Sequence, residues 1–193
     1  MSHLLDVAMS ATQLKRVPRS GWQMRGAPLG GQAENVAAHS YGVVFLTMLL
    51  LDLDPRPLDK LAALRLAVLH DLAESLVGDL PAPLSRFLPT EYKHAAERAA
   101  MEVIVADFPL AADYLACWEA YNEGASDEAR LVKEADRLDM MLQAFHYEQA
   151  GQRNLDEFWE SVTLASFETE AARALFSELL ARRATLTHLD KLE

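Results

Sequence analysis

The chain has 193 residues, enough to bury a core without disulfides, and a formal net charge of −11, which argues against a nucleic-acid polymer as partner because such binding rests on Lys and Arg neutralising phosphates. Its one cysteine, Cys117, excludes an intrachain disulfide and every cysteine-clustered zinc or iron–sulfur site. Hydrophobic residues make up 51% and charged residues 24%, and eight glycines with eight prolines are too few for a loop-rich β protein, so helix is the expectation.

The start, MSHLLDVAMSATQLKRVPRS, lacks the charged region, apolar block and cleavage site of a leader, and no run approaches the ~18 apolar residues of a membrane span. The expected location is therefore a reducing cytoplasm, with no membrane partner. Acidity leaves a mononucleotide open as a ligand, since one metal ion and a few local cations can hold it.

Apolar residues recur at helical spacing nearly throughout, so the interruptions divide the chain. A short first helix gives way to RVPRSGWQMRGAPLGGQA, residues 16–33, whose prolines and Gly30-Gly31 pair predict a long loop of the kind that is often functional. A helix over about 34–51 places Val36, Val43, Val44, Thr47 and Leu50 on one stripe. The next runs over about 58–77, closed by Gly78, and Pro81, Pro83 and Pro89 mark a second loop. Thr90 is placed to cap a helix over about 91–107, Pro109 to open one to about 122, and Ser126 with Asp127 to start a long one to about 149. A last helix spans about 166–186. Neither strand-like alternation nor an internal repeat competes, and the expectation is an all-α single domain over residues 1–193 with roughly six or seven helices.

His70 and Asp71 are neighbours inside the apolar stretch RLAVLHDLAESLVGD, where two polar side chains are expensive unless something satisfies both. A small cation between them does so. An imidazole nitrogen and a carboxylate oxygen form a mixed donor set suited to manganese, iron, cobalt, nickel or zinc. Further ligands can come from His39 in ENVAAHSYGVV and Asp136 in ARLVKEADRLDMMLQA, which helix packing would bring into the same core. Each has a plain alternative: His39 as a hydrogen-bonded core residue, and Asp136 as the partner of Arg137 or Lys133. Glu74, three residues after Asp71 and four after His70, shares their face, which leaves open both a reactive carboxyl and a solvated helix residue.

Taken together, the order His, His-Asp, Asp on three amphipathic helices resembles the HD superfamily of metal-dependent phosphohydrolases. The stretches KRVPRSGW, ENVAAHS, LAVLHDLAESLVGDLPAP and EARLVKEADRLDMMLQA are similar to its small 5′-deoxynucleotidase subgroup, over Leu14 to Tyr147. The resemblance implies an HD-domain helical bundle with a metal-site core over about 34–150 and a substrate loop over 16–33. His39, His70, Asp71 and Asp136 would hold one divalent ion, and Glu74 would act as general acid or base. By the same resemblance Asp79, beside Gly78, orients substrate or site, a turn-forming aspartate being the plain alternative. Arg19 clamps phosphate and Trp22 faces the nucleoside, with Arg16 and Arg25 near enough to take the arginine role and a structural tryptophan as the alternative for Trp22. The loop is slightly longer than the family pattern before His39, and Asn122 stands where similar proteins often carry glutamate.

The implied substrate is a deoxynucleoside 5′-monophosphate, cleaved to nucleoside and phosphate. Two rivals remain: a broad phosphomonoesterase, and a non-catalytic scaffold stabilised by metal. Similar proteins are often homodimers, and Ala171, Leu175, Leu179 and Leu180 of the last helix offer either an interface or the completion of the core. Trp118 and Tyr121 read as core.

Overall fold

No proline or glycine interrupts the first residues, and the computed structural model, which describes residues 2–81 and 87–189, opens with α1 (Ser2–Gln13) and the 3₁₀ turn Leu14–Arg16. The expected loop over 16–33 contains a five-residue helix, α2 (Ser20–Met24). Its local signals are weak, and it is held from outside. Arg19 N donates to Glu34 O at 2.8 Å and Val36 N to Val17 O at 2.9 Å, so the two ends of the loop pair and clamp it closed.

Side-chain caps then set the starts of the helices that carry the site. Asn35 accepts from Ala38 N and begins α3 (Val36–Leu53), and Asp59 accepts from Ala62 N and begins α4 (Lys60–Leu69). The expected continuous helix over 58–77 is broken after Leu69. Leu72 N, Glu74 N and Ser75 N each reach back three residues, to Leu69, Asp71 and Leu72, so a tightened 3₁₀-type turn joins α4 to α5 (Glu74–Val77). Gly78, at φ 76°, closes α5 with its N–H on Glu74 O. Pro83 of the second loop lies outside the described residues.

Thr90 is the first residue of α6 (Thr90–Val105) rather than its cap, which is Pro89 without a side-chain bond. Next, α7 (Ala111–Glu123) begins beyond Pro109 and ends on left-handed Gly124. Ser126 caps α8 (Asp127–Gln149), as expected. Two short pieces follow, α9 (Asp156–Ser161) and the 3₁₀ turn Leu164–Ser166, before α10 (Glu170–Leu189). Among the described residues there are ten α-helical segments, and the seven longest are those the periodicity marked, with the α4–α5 break as the exception.

The helices enclose two apolar clusters. One joins α3, α4, α8, α9 and α10 around Val43, Leu50, Leu138, Met141, Phe167 and Phe176; the other joins α1, α4, α6 and α7 around Leu69, Met101, Val105 and Trp118. The most extensive helix pairing is α3 with α8. On α3 the buried stripe runs Val36, His39, Val43, Leu46, Leu50, so a fully buried histidine falls within a row of aliphatic residues. By length and composition α3 does match a membrane span, with mean hydropathy 1.7 and 39% of its residues buried, which corrects the expectation that no segment approaches one.

Leu179 is buried, and Ala171, Leu175 and Leu180 pack against the first cluster, so the apolar face of α10 completes the core. Exposed apolar residues are spread over several elements, with Tyr41, Phe45, Met48, Leu49 and Leu53 on α3.

One buried carboxylate fastens α10 to α8. Glu134, 2% exposed, accepts from the backbone N–H groups of Glu168 and Thr169 and from Thr169 Oγ1 at 2.5 Å, just ahead of the α10 N-terminus. Glu134→Ala would strand those donors and should cost about 3 kcal/mol, read as a lower urea midpoint with an unchanged slope. A loss under about 1 kcal/mol would show that α10 is held without this carboxylate.

Candidate metal centre

His39 comes from the buried stripe of α3, His70 and Asp71 from the α4–α5 break, and Asp136 from the cleft-facing side of α8. The fold brings these four together. Nε2 of His39 lies 3.4 Å from Nε2 of His70, 3.2 Å from Asp136 Oδ1 and 3.6 Å from Asp71 Oδ2. His70 Nε2 is 3.1 Å from Asp71 Oδ2. The nearest donor atoms of His39, His70 and Asp136 all lie within 4.8 Å of one another.

The other nitrogen of each ring is already committed. His70 Nδ1 is 2.8 Å from the Ala67 carbonyl, which can only accept, so Nδ1 carries the proton. His39 Nδ1 donates to Asp139 Oδ2 at 2.8 Å. In its neutral form each ring would therefore turn an Nε2 lone pair toward the other and toward two carboxylate oxygens. This donor set is one that a divalent cation satisfies, with the outer hydrogen bonds fixing the tautomers.

Protons can stand in for the cation. Burial and the Arg19 charge press the His39 imidazole down, yet the hydrogen bonds to Asp136 and Asp139 outweigh them and bring it up to about 9. Burial likewise opposes His70, and the adjacent Asp71 carboxylate prevails and raises it. Asp71 and Asp136 resist the effect of burial and stay well below the usual carboxylate range, Asp71 through the charge of His70 and Asp136 through its hydrogen bond from His39.

His70, Asp71 and Asp136 line a cleft of about 390 Å³, within the range of small-molecule sites, together with Arg19, Trp22, Asp79 and Tyr121, with the fully buried His39 behind them. Glu74 is buried, its Oε2 has no hydrogen-bond partner, and it lines the same cleft, so the solvated-residue alternative fails. Burial and the charges of Asp71 and Asp79 push its carboxyl up to about 10. Arg19 Nη1 lies 3.5 Å from Asp71 Oδ2 and 3.7 Å from Asp79 Oδ1, two anions that hold its charge. The Asp79 carboxylate is occupied by Ser20, accepting from its N at 2.5 Å and its Oγ at 2.8 Å, which ties the start of α2 to the end of α5.

Trp22 lies against Phe158 with centroids 4.2 Å apart, meets Tyr147 edge-on, and donates through Nε1 to Glu34 at 3.1 Å. It is 2% exposed and lines the cleft as a fixed plane. The other two arginines of the loop are elsewhere: Arg16, ending a 3₁₀ turn, borders a separate depression, and Arg25 pairs with Glu157. Neither lines this cleft.

The family model for the HD domain matches residues 11–179. The chain belongs to the HD domain family. It is 37% identical to 5′-deoxynucleotidase HDDC2 of Homo sapiens over 186 residues, 94% of this chain and 87% of that one. Among solved structures, the PH0347 protein of Pyrococcus horikoshii superposes with a TM-score of 0.74 at 32% identity, over 94% of this chain and 99% of that one. A conserved protein of Pyrococcus furiosus gives 0.69 at 38% identity, over 80% and 90%.

The His-Asp pair of this HD domain has supports that sequence reasoning missed. Tyr121, read as core, is indeed buried, yet its hydroxyl donates to Asp136 Oδ2 at 2.7 Å and it lines the cleft. Lys133 and Arg137, the alternative partners for Asp136, bond instead to the carbonyls of Asn122 and Ser166. Asp139, three residues beyond Asp136, was discoverable by extending the same helical face one more step.

Metal uptake should depend on pH with a definite sign. In the metal-free protein the raised His39 imidazole contributes stability that is complete below its ordinary value of about 6.5 and is lost as the pH rises through about 9, and the raised His70 acts in the same direction. Metal needs the same nitrogens deprotonated. The rise in melting temperature on adding a fixed concentration of manganese should be small near about pH 6 and larger near about pH 8.5. A shift that shrinks as the pH rises would separate metal binding from these histidines.

Proposed function

We propose that this chain is a metal-dependent phosphohydrolase that removes phosphate from deoxynucleoside 5′-monophosphates. The observation that carries the reading is the meeting, at one cleft, of His70, Asp71 and Asp136 backed by His39, the Arg19 guanidinium and a buried carboxyl, Glu74, with an unpartnered oxygen. The relatives named as 5′-deoxynucleotidases support the substrate.

His39, His70, Asp71 and Asp136 would hold the ion, and the mixed set suits manganese, iron, cobalt, nickel or zinc. When bound, such an ion screens phosphoryl charge and activates water. Arg19 then binds a phosphate oxygen, kept in place by Asp79 and, through Asp79, by Ser20. Hydrolysis forms a bond from the water oxygen to phosphorus, breaks the bond to the 5′-oxygen, and leaves that oxygen in need of a proton, while the water gives one up to solvent, from which the proton donor is recharged. Glu74, pushed up to about 10, carries one at neutral pH and serves as the general acid. Trp22, fixed by Phe158 and Glu34, supplies the rigid wall that exclusion of a 2′-hydroxyl requires. Asp79, with its carboxylate engaged by Ser20, is a positioning residue in this scheme rather than a reacting one.

The test is phosphate release from the four deoxynucleoside and four ribonucleoside monophosphates, with chelated protein re-supplied in turn with manganese, cobalt, nickel, zinc and magnesium. Metal-dependent release favouring the deoxy set is expected; equal release from both sets points to a broad phosphomonoesterase, and none, with metal bound, rejects the reading. Glu74→Gln should lower kcat by about 10²–10⁴ with metal affinity unchanged. Full activity in that variant would move the proton transfer to another group.

A further inference from the structure

His39 approaches α8 at a place where α3 has almost no width. Three residues along α3 from His39 stands Gly42, and across from it lies the Asp139 carboxylate that takes the His39 Nδ1 proton. A Cβ added to Gly42 would lie 1.9 Å from Asp139 Oδ1 and 2.7 Å from its Cγ, distances that atoms not bonded to each other never reach. Any side chain at residue 42 must therefore displace that carboxylate. Displacement would break the 2.8 Å bond that fixes the ring, because α3 and α8 form the most extensive helix pairing of the fold and have little freedom to separate.

We infer that Asp139 is a positioning residue for the metal ligand His39, and that Gly42 is the space in α3 that lets it reach the ring. The inference rests on the reading of His39 as a ligand. Asp139 acts in two ways. Accepting the Nδ1 proton turns the Nε2 lone pair inward, and the negative charge behind the ring makes that lone pair a stronger donor. Gly42 makes no contact with the ion or the substrate in this scheme, so its influence passes entirely through Asp139. A glycine within α3 carries a helix-propensity cost relative to alanine, and the approach of Asp139 is the physical reason that cost is borne here.

The experiment measures cobalt(II) affinity and the visible ligand-field spectrum of the bound ion for the full chain and three variants, with circular dichroism as the folding control. Asp139→Ala is expected to weaken cobalt binding by about 10–100-fold and to alter the spectrum. Gly42→Ala should weaken it to a similar degree, although alanine is the better helix former. The double variant is the decisive member: with the carboxylate gone there is nothing left to displace, so Gly42→Ala in the Asp139→Ala background should cause no further loss. Gly42→Ala binding as tightly as the unaltered chain would overturn the inference, as would a double variant whose loss is the product of the two single losses. If the unaltered chain binds no cobalt, the metal centre falls, and this inference with it; normal binding there with unaffected variants removes the inference alone.

Discussion

Two imidazole rings whose inner nitrogens face each other at 3.4 Å, with carboxylates from two further directions, make a cluster that needs positive charge between its members. Much of the fold serves to build and hold that cluster. Its members come from α3, the α4–α5 break and α8, whose packing forms the larger core. The aliphatic residues around His39, among them Val36, Val43 and Leu46, keep it from retreating into water. A buried donor set with its tautomers fixed from outside is preorganised: ion binding costs little rearrangement, and the energy goes into affinity.

The break at His70 shows how local chemistry shapes that set. An uninterrupted helix would commit the Ala67 carbonyl to a backbone N–H four residues on; here the carbonyl accepts the His70 ring instead, and the following N–H groups reach back three residues. The side chain thus takes over a backbone partner and fixes its own tautomer. In the sequence this break is hidden, since RLAVLHDLAESLV has no glycine or proline and its apolar pattern runs straight through.

Other parts were legible for equally physical reasons. Helices with a strong stripe and an Asn, Asp or Ser at the start, such as α3 and α8, carry their signal within about four residues, and His39 could be seen to interrupt a row of aliphatic positions. The all-α class followed from those patterns, while the set of His39, His70, Asp71 and Asp136 followed from the resemblance to the HD superfamily, their spacing alone leaving plain alternatives open. What escaped depends on contacts far apart in the chain: α2 is held through Arg19 to Glu34 and Ser20 to Asp79, and neither pairing leaves a mark in RVPRSGWQM. Tyr121 escaped differently, because an aromatic residue at helical spacing looks like core whether or not its hydroxyl finds Asp136. Of the three loop arginines Arg19 lines the cleft, whereas Arg16 borders a separate depression and Arg25 pairs with Glu157 in a loop clamped at Val17 and Val36.

Charge explains how so acidic a cleft can receive a phosphate. Arg19, Lys93 and Lys133 line it together with Asp71, Asp79, Asp136 and Glu97, and without a metal ion the raised imidazoles of His39 and His70 supply the positive charge among the donors. Arg19 is itself partly neutralised by Asp71 and Asp79. A divalent ion held by His39, His70, Asp71 and Asp136 would add positive charge beside the Arg19–Asp71 pair. With Asp71 engaged by such an ion its hold on Arg19 would weaken, and the guanidinium would be free to turn its donors to the proposed phosphate. In the proposed scheme phosphate affinity in this cleft would be conditional on the donor set being filled, consistent with a net charge of −11 that disfavours a polyanionic partner.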